Sequence, residues 1–124
     1  MFELHGSIQR NYCMKCGKFY PLEELNTNGV PKCDCGGIIK TDVVLYEEGI
    51  DSSILYGAIK ALQEADLLIV IGTSLIVQPA ASLIRYFGGS NLVLINKSKT
   101  PYDSYASIVI NDDIINVIEE LESV

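Results

Sequence analysis

Along residues 51–124 the apolar positions keep two different periods, and these alternate. Ile54, Leu55, Ala58, Ile59, Leu62 and Ala65 fall on one face at helical spacing, and Asp51, Ser52 and Ser53 precede them as possible N-caps, so a helix is predicted to about Ala65. Leu67–Ile71 is apolar at every position, the pattern of a parallel strand buried on both faces. A second helix is expected from Pro79 through Leu83 and Ile84 to Gly88-Gly89, since proline suits the first helical turn. Leu92–Ile95 and Ser107–Ile110 read as two further strands, and Ile114, Ile115, Ile118 and Leu121 mark a last helix beginning near Asp112. Residues 1–48 show no such order. Glycines, prolines and short apolar runs predict a loop-rich module whose best strand is Asp42–Tyr46.

The alternation predicts an α/β fold, a partial doubly wound parallel sheet amounting to half of a Rossmann-like domain, preceded by a small separate module. The expected division is 1–48 and 49–124. The chain has 124 residues, is 48% hydrophobic and carries a net charge of −7, which excludes a disordered chain and disfavours a nucleic-acid partner. The longest uninterrupted apolar run, Leu67–Ile71, falls far below the roughly 20 residues that span a bilayer, so no membrane partner is expected. No basic-then-apolar leader opens these residues, and a cytoplasmic location is the expectation.

All four cysteines lie between positions 13 and 35, in the pattern C-x2-C-x16-C-x-C. Two closely spaced pairs of thiolates can close a tetrahedron around zinc, and with no open position the metal would be structural. The second pair, Cys33-Asp34-Cys35, is one residue tighter than the usual knuckle, and Gly36-Gly37 is placed to relieve the strain. Free or disulfide-bonded thiols are the alternative. The single histidine, His5, is by composition as compatible with a plain surface residue as with a catalytic base. Gly72-Thr73-Ser74 follows the strand Leu67–Ile71, Asn96-Lys97-Ser98 follows Leu92–Ile95, and Asp112 follows the third strand. Ligands of open parallel sheets bind beyond the strands' carboxyl ends, although ordinary turns and an N-cap at Asp112 account for each tip singly. No G-x-G-x-x-G occurs.

Leu4-His5-Gly6-Ser7, the cysteine pairs, Asp42–Glu48, Ile71–Leu75, Val77–Ala81 and Leu94–Asn96 occur in the order found in sirtuins, the NAD-dependent protein-lysine deacylases, and the chain resembles the C-terminal half of that family's catalytic core. The resemblance implies that His5 is the general base acting on the NAD ribose. It implies that Val44, Leu45 and Tyr46 line the acyl-lysine tunnel and pair with an acyl-lysine protein or peptide as an added strand. Gly72, Thr73, Ser74, Asn96, Lys97, Ser98 and Asp112 match NAD contacts, and Cys13, Cys16, Cys33 and Cys35 match structural zinc ligands.

The sequence also departs from the family. Its Gly-Ala-Gly phosphate loop and the Gln-Asn-x-Asp element of its nicotinamide pocket, which precede the His-Gly, do not occur here; Thr41 stands where many relatives have proline, and Glu47 where glycine is frequent. The expectation is therefore a C-terminal fragment or truncated form, not competent in turnover by itself. The runner-up is a non-catalytic zinc-bearing peptide-interaction module; a zinc-ribbon nucleic-acid binder is disfavoured by charge. In half a sheet, Leu67–Ile71 would leave one edge unpaired, so a homodimer or larger oligomer is expected through that edge or its flanking helices.

Overall fold

The structure is a computed structural model and describes residues 1–26 and 28–124. It separates into two compact units, Met1–Leu55 and Tyr56–Val124.

The first unit is a three-stranded antiparallel sheet, in the order β2 (Phe19–Pro21), β1 (Gly6–Cys13), β3 (Ile39–Val43). β1, eight residues long, was not foreseen, because Ser-Ile-Gln-Arg-Asn-Tyr lacks any alternation of apolar and polar residues. Polar contacts hold it instead. Arg10 donates to the carboxylates of Glu3 and Asp42, and the fully buried Asn11 donates from Nδ2 to the carbonyls of Ile8 (3.1 Å) and Tyr20 (3.2 Å). The register between β1 and β3 shifts between Ser7 and Asn11, and Asn11 bridges that irregularity. The strand expected at Asp42–Tyr46 lies earlier, at Ile39–Val43. Beyond Val43 the Leu45 N–H donates to Glu48 Oε2 (3.0 Å) and the Glu48 N–H to the Leu45 carbonyl (3.1 Å), so a turn ends the strand despite its favourable residues.

The second unit is the expected parallel sheet, with β4 (Leu67–Ile71), β5 (Asn91–Ile95) and β6 (Ile108–Ile110) side by side in that order. α1 (Ser52–Glu64) leads into it from the first unit, its N-terminus capped by Asp51, whose Oδ1 accepts from the amides of Ser53 (2.8 Å) and Ile54 (3.2 Å). Leu75, Ile84, Leu92 and Leu94 form the core, with Leu68, Val70, Phe87, Tyr102 and Ala106 packed around them.

Three expectations change here. The element after Pro79 is a 3-10 helix, Ala80–Tyr86, which buries Ala81, Leu83 and Ile84. β4 lies at the sheet's edge, as expected, but it is not buried on both faces: only Leu68 and Val70 meet the core, and Leu67, Ile69 and Ile71 on its other face are about half exposed. α2 (Ile114–Glu122) is capped by Asp113, not Asp112, and buries Val117 while Ile115, Ile118 and Leu121 stay exposed. Among the described residues no helix is long and apolar enough to cross a membrane.

Candidate functional site

The four cysteine sulfurs lie within 4.8 Å of one another. Cys13 and Cys16 sit on the turn that ends β1, where the Gly17 N–H donates to the Cys13 carbonyl (2.9 Å); Cys33 and Cys35 sit on a second turn, closed by the Gly36 N–H on the Cys33 carbonyl (2.8 Å). The nearest approaches run between the turns, 3.5 Å for Cys13–Cys35 and 3.6 Å for Cys16–Cys33. These distances are far beyond a disulfide bond, and the thiols are free. They approach the edge of a tetrahedron with metal–sulfur bonds of about 2.3 Å, which is about 3.8 Å, so the donor set fits zinc and leaves no open position.

Glycine 37 makes that convergence possible. A Cβ there would stand 2.6 Å from Cys13 Sγ and 2.7 Å from Lys15 Cβ, so any side chain would drive the two turns apart. Of the glycine pair expected to ease the tight knuckle, Gly36 supplies the left-handed turn (φ +78°) and Gly37 the clearance. The Tyr20 hydroxyl donates to Cys33 Sγ (3.1 Å), and this bond, with the Cys35 amide, pulls the Cys33 thiol down to about 6. Such bonds favour the thiolate, the form that binds metal.

His5 is exposed and precedes β1. Its carbonyl accepts from the Val44 N–H (3.1 Å), which fixes the histidine's backbone against the start of the exposed Leu45-Tyr46 segment. Gly6 is required beside it, since a Cβ would fall 1.8 Å from the Asp42 carbonyl oxygen. Lys40 Nζ bonds the Val43 carbonyl (3.1 Å) and Glu48 Oε2 (3.0 Å), so one lysine and one glutamate, neither expected from sequence, clasp the Val44–Tyr46 turn. With the Leu45 amide and Lys40 as donors, the Glu48 carboxyl is held below its ordinary range.

In the second unit, the remaining candidates gather at the carboxyl ends of neighbouring strands. The Gly72 N–H donates to the Ile95 carbonyl (2.9 Å), the Asn96 N–H to the Ile110 carbonyl (3.0 Å) and Asn111 Nδ2 to the Asn96 carbonyl (3.1 Å). Leu75 anchors the first tip: it is buried in the core at φ +54°, and its N–H donates to Thr73 Oγ1 (3.1 Å), leaving Gly72, Thr73 and Ser74 exposed. Asn96 Nδ2 bonds the Ser98 carbonyl (2.7 Å), and Asp112 Oδ1 accepts from Asn116 Nδ2 (2.8 Å). Lys97 pairs with Asp113 at 2.7 Å, and this contact, together with the Ile115 amide, holds the Asp113 carboxyl below its usual range. The edge thus offers two hydroxyls and a carboxylate at adjacent strand ends, the position where open parallel sheets receive ligands.

A half-sheet of parallel strands with polar tips, joined to a four-cysteine module that fits zinc, defines the class, an α/β protein. The model of the Sir2 family matches residues 1–79. The chain is 61% identical over 122 residues to an NAD-dependent protein deacetylase of Clostridium acetobutylicum, across 96% of this chain and 50% of that protein. It is 47% identical over 120 residues to an NAD-dependent protein deacetylase of Staphylococcus aureus, covering 96% of this chain and 49% of the relative. Among solved structures, it is similar to a Sir2–p53 peptide–NAD+ complex (TM-score 0.88, 34% identity, 98% of this chain and 54% of the other) and to Sir2 bound to acetylated peptide (TM-score 0.89, 33% identity, 98% and 54%). The chain belongs to the Sir2 family. It spans about half the length of the curated relatives it matches.

Proposed function

We propose that this chain carries the base, the peptide-pairing segment and the adenosine-side contacts of an NAD-dependent protein-lysine deacylase, which moves an acyl group from lysine to ADP-ribose and releases nicotinamide. The observation that carries this reading is the Val44–His5 backbone bond, which ties the backbone of the exposed His5 to the start of an exposed segment able to accept a peptide as an added strand. The names of the similar proteins support the same chemistry.

In this reading Val44, Leu45 and Tyr46 bind the acyl-lysine peptide, with the Lys40–Glu48 clasp holding the turn in shape. His5 removes a ribose hydroxyl proton, general-base work that imidazole side chains commonly perform. Gly72, Thr73, Ser74, Asn96, Lys97, Ser98 and Asp112 face the adenosine side, where hydroxyls and a carboxylate can meet ribose oxygens. Residues 1–48 bear the base, zinc and peptide segment, and 49–124 the nucleotide side. Zinc holds the module in shape and takes no part in the reaction.

A base contributes about 10²–10⁴-fold, and only with the reacting group held within hydrogen-bond reach. The glycine-rich phosphate loop of the family is not among these 124 residues, so the chain alone is expected to bind without turning over. Calorimetry on the zinc-loaded chain tests this. ADP-ribose should bind weakly and lose that binding on Asp112→Ala, an acetyl-lysine peptide should bind, and nicotinamide release should not exceed a His5→Ala control. Failure of both ligands to bind would overturn the proposal. The second reading, a peptide-interaction module, is favoured by full exposure of Tyr46; peptide binding without any ADP-ribose binding would select it.

The net charge of −7 supports a protein partner over a nucleic acid. Leu67, Ile69 and Ile71 on the open face of edge strand β4 support a homodimer, since one self-complementary patch closes on itself. Sedimentation at micromolar concentration should give twice the chain mass, and a clean monomer would remove the dimer.

A further inference from the structure

The two cysteine turns are not equally provided with donors. In the first knuckle the Lys15 amide donates to Cys13 Sγ at 3.4 Å and the Cys16 amide also acts on it. In the second, Cys33-Asp34-Cys35, the Cys35 amide alone serves Cys33 Sγ, because the next one, of Gly36, is taken by the Cys33 carbonyl at 2.8 Å. Four thiolates around a divalent ion leave a surplus of negative charge on sulfur, and hydrogen bonds to the ligands offset it while fixing their orientation.

At the short knuckle a side chain from another strand reaches the sulfur. The Tyr20 hydroxyl lies 3.1 Å from Cys33 Sγ, thirteen residues away in sequence, and Cys33 is buried. Tyr20 itself is held in place: its carbonyl accepts from the fully buried Asn11, and its ring packs on the Cys13–Cys33–Ile39 cluster. Lys18 Nζ sits 5.0 Å from the ring centroid and is in turn fixed by Asp34, the spacer residue of the short knuckle, at 2.8 Å. A cation over the ring draws charge from the phenol and makes its O–H a better donor. Lys18, Tyr20, Cys33 and Asp34 therefore form a closed circuit around one ligand.

We propose that the Tyr20 hydroxyl is an outer-shell donor that holds the Cys33 sulfur in its ligating position and governs how long zinc stays in the four-cysteine site. The proposal rests on zinc occupying that site. Tyr20 acts as a positioning residue, adding a second donor to the one amide that serves Cys33 in the shortened knuckle. Lys18, held by Asp34, strengthens it from outside.

The test uses the whole chain loaded with zinc, and separately with cobalt(II), whose sulfur-to-metal charge-transfer band reports directly on electron density at the thiolates. Tyr20→Phe keeps the ring and removes only the hydroxyl. Zinc transfer to a chromogenic chelator should become about tenfold faster, within the roughly 10–100-fold range typical of lost outer-shell partners. The cobalt band should move to lower energy, a change that loosened packing alone would not produce. Tyr12→Phe, which removes a hydroxyl from the neighbouring strand, should change neither. Lys18→Met should shift both readouts the same way by a smaller amount, and it decides the matter should Tyr20→Phe fail to fold. Transfer within twofold of wild type with an unmoved band overturns the proposal alone, whereas a wild-type chain that takes up no metal overturns the site and the proposal together.

Discussion

Around Leu94, which is 1% exposed, the second unit is built as small α/β domains generally are: branched apolar side chains from β4 and β5 close on Leu75 and Ile84, and the backbone pairs in regular parallel register. In the first unit the comparable buried set is Cys13, Cys33 and Ile39, with Tyr20 and Leu25 beside it. Two of those three residues are metal ligands in our reading, and the longest strand is fastened by Arg10 and Asn11 rather than by apolar packing. One unit is organised by area removed from water, the other by coordination and by polar contacts that coordination keeps aligned.

The largest separation between them should follow removal of zinc. Structural zinc in small modules is bound with about 10–16 kcal/mol of apparent free energy at neutral pH, which exceeds what a cluster of three buried residues supplies. Treating the loaded chain with a chelator should therefore unfold β1–β3 while β4–β6 persists. Hydrogen exchange read by mass spectrometry should show amides of Gly6–Val43 losing protection and those of Leu67–Ile95 keeping it. Loss of protection to the same extent in both would break the contrast.

Leu94→Ala reverses the experiment. Truncating a fully buried leucine costs about 2–5 kcal/mol, depending on how far the cavity collapses. Denaturant unfolding followed in the second unit should shift by that amount, while zinc affinity stays within about twofold of wild type. A comparable loss of zinc affinity would mean that the units share more than a chain.

Gly37→Ala should act on the first unit alone and more mildly. The added Cβ would meet Cys13 Sγ at 2.6 Å, so one turn must move, and overpacking of this kind costs about 1–3 kcal/mol. The effect should be read as weaker zinc binding with an unchanged second unit. Zinc affinity equal to wild type would show that the two turns are looser than their separation implies.

The contrast also explains which parts of the molecule could be read from sequence. The boundaries of β4 are those of the apolar run Leu67–Ile71, and α1 begins and ends within a residue or two of its stripe, because burial writes itself into sequence as a period. The cysteine site was legible for another reason: ligand spacing is a chemical signature independent of packing. β1 was not legible, since its order comes from Asn11 and Arg10 reaching residues that no local pattern links to them. The strand expected at Asp42–Tyr46 was displaced by a bond between the Leu45 amide and Glu48, which residue preferences for strands cannot anticipate. Exposure of Leu67, Ile69 and Ile71 was hidden as well, because an apolar run states what a residue prefers and not whether anything covers it. The Tyr20–Cys33 contact spans thirteen residues and left no trace beyond the tyrosine itself.

The smallest expected effect concerns Glu47, and it separates the two units at the level of a single dihedral. Among the described residues, each unit holds one non-glycine residue with positive φ, Glu47 at 69° and Leu75 at 54°. Leu75 is buried, so the cost of its backbone is offset by a side chain that closes the core and positions the Gly72–Ser74 tip. Glu47 is exposed, occupying the third position of the turn that the Glu48 N–H closes onto the Leu45 carbonyl. That position favours glycine. A left-handed backbone costs an ordinary residue about 1–2 kcal/mol, while glycine brings an entropy penalty of about 0.5–1 kcal/mol. Glu47→Gly should therefore stabilise the zinc-loaded first unit by roughly 0.5–1 kcal/mol, seen as a higher denaturant midpoint with unchanged slope. The second unit's midpoint should not move. A lower midpoint for the first unit would show that the Glu47 side chain holds the turn through an interaction worth more than the strain of its backbone.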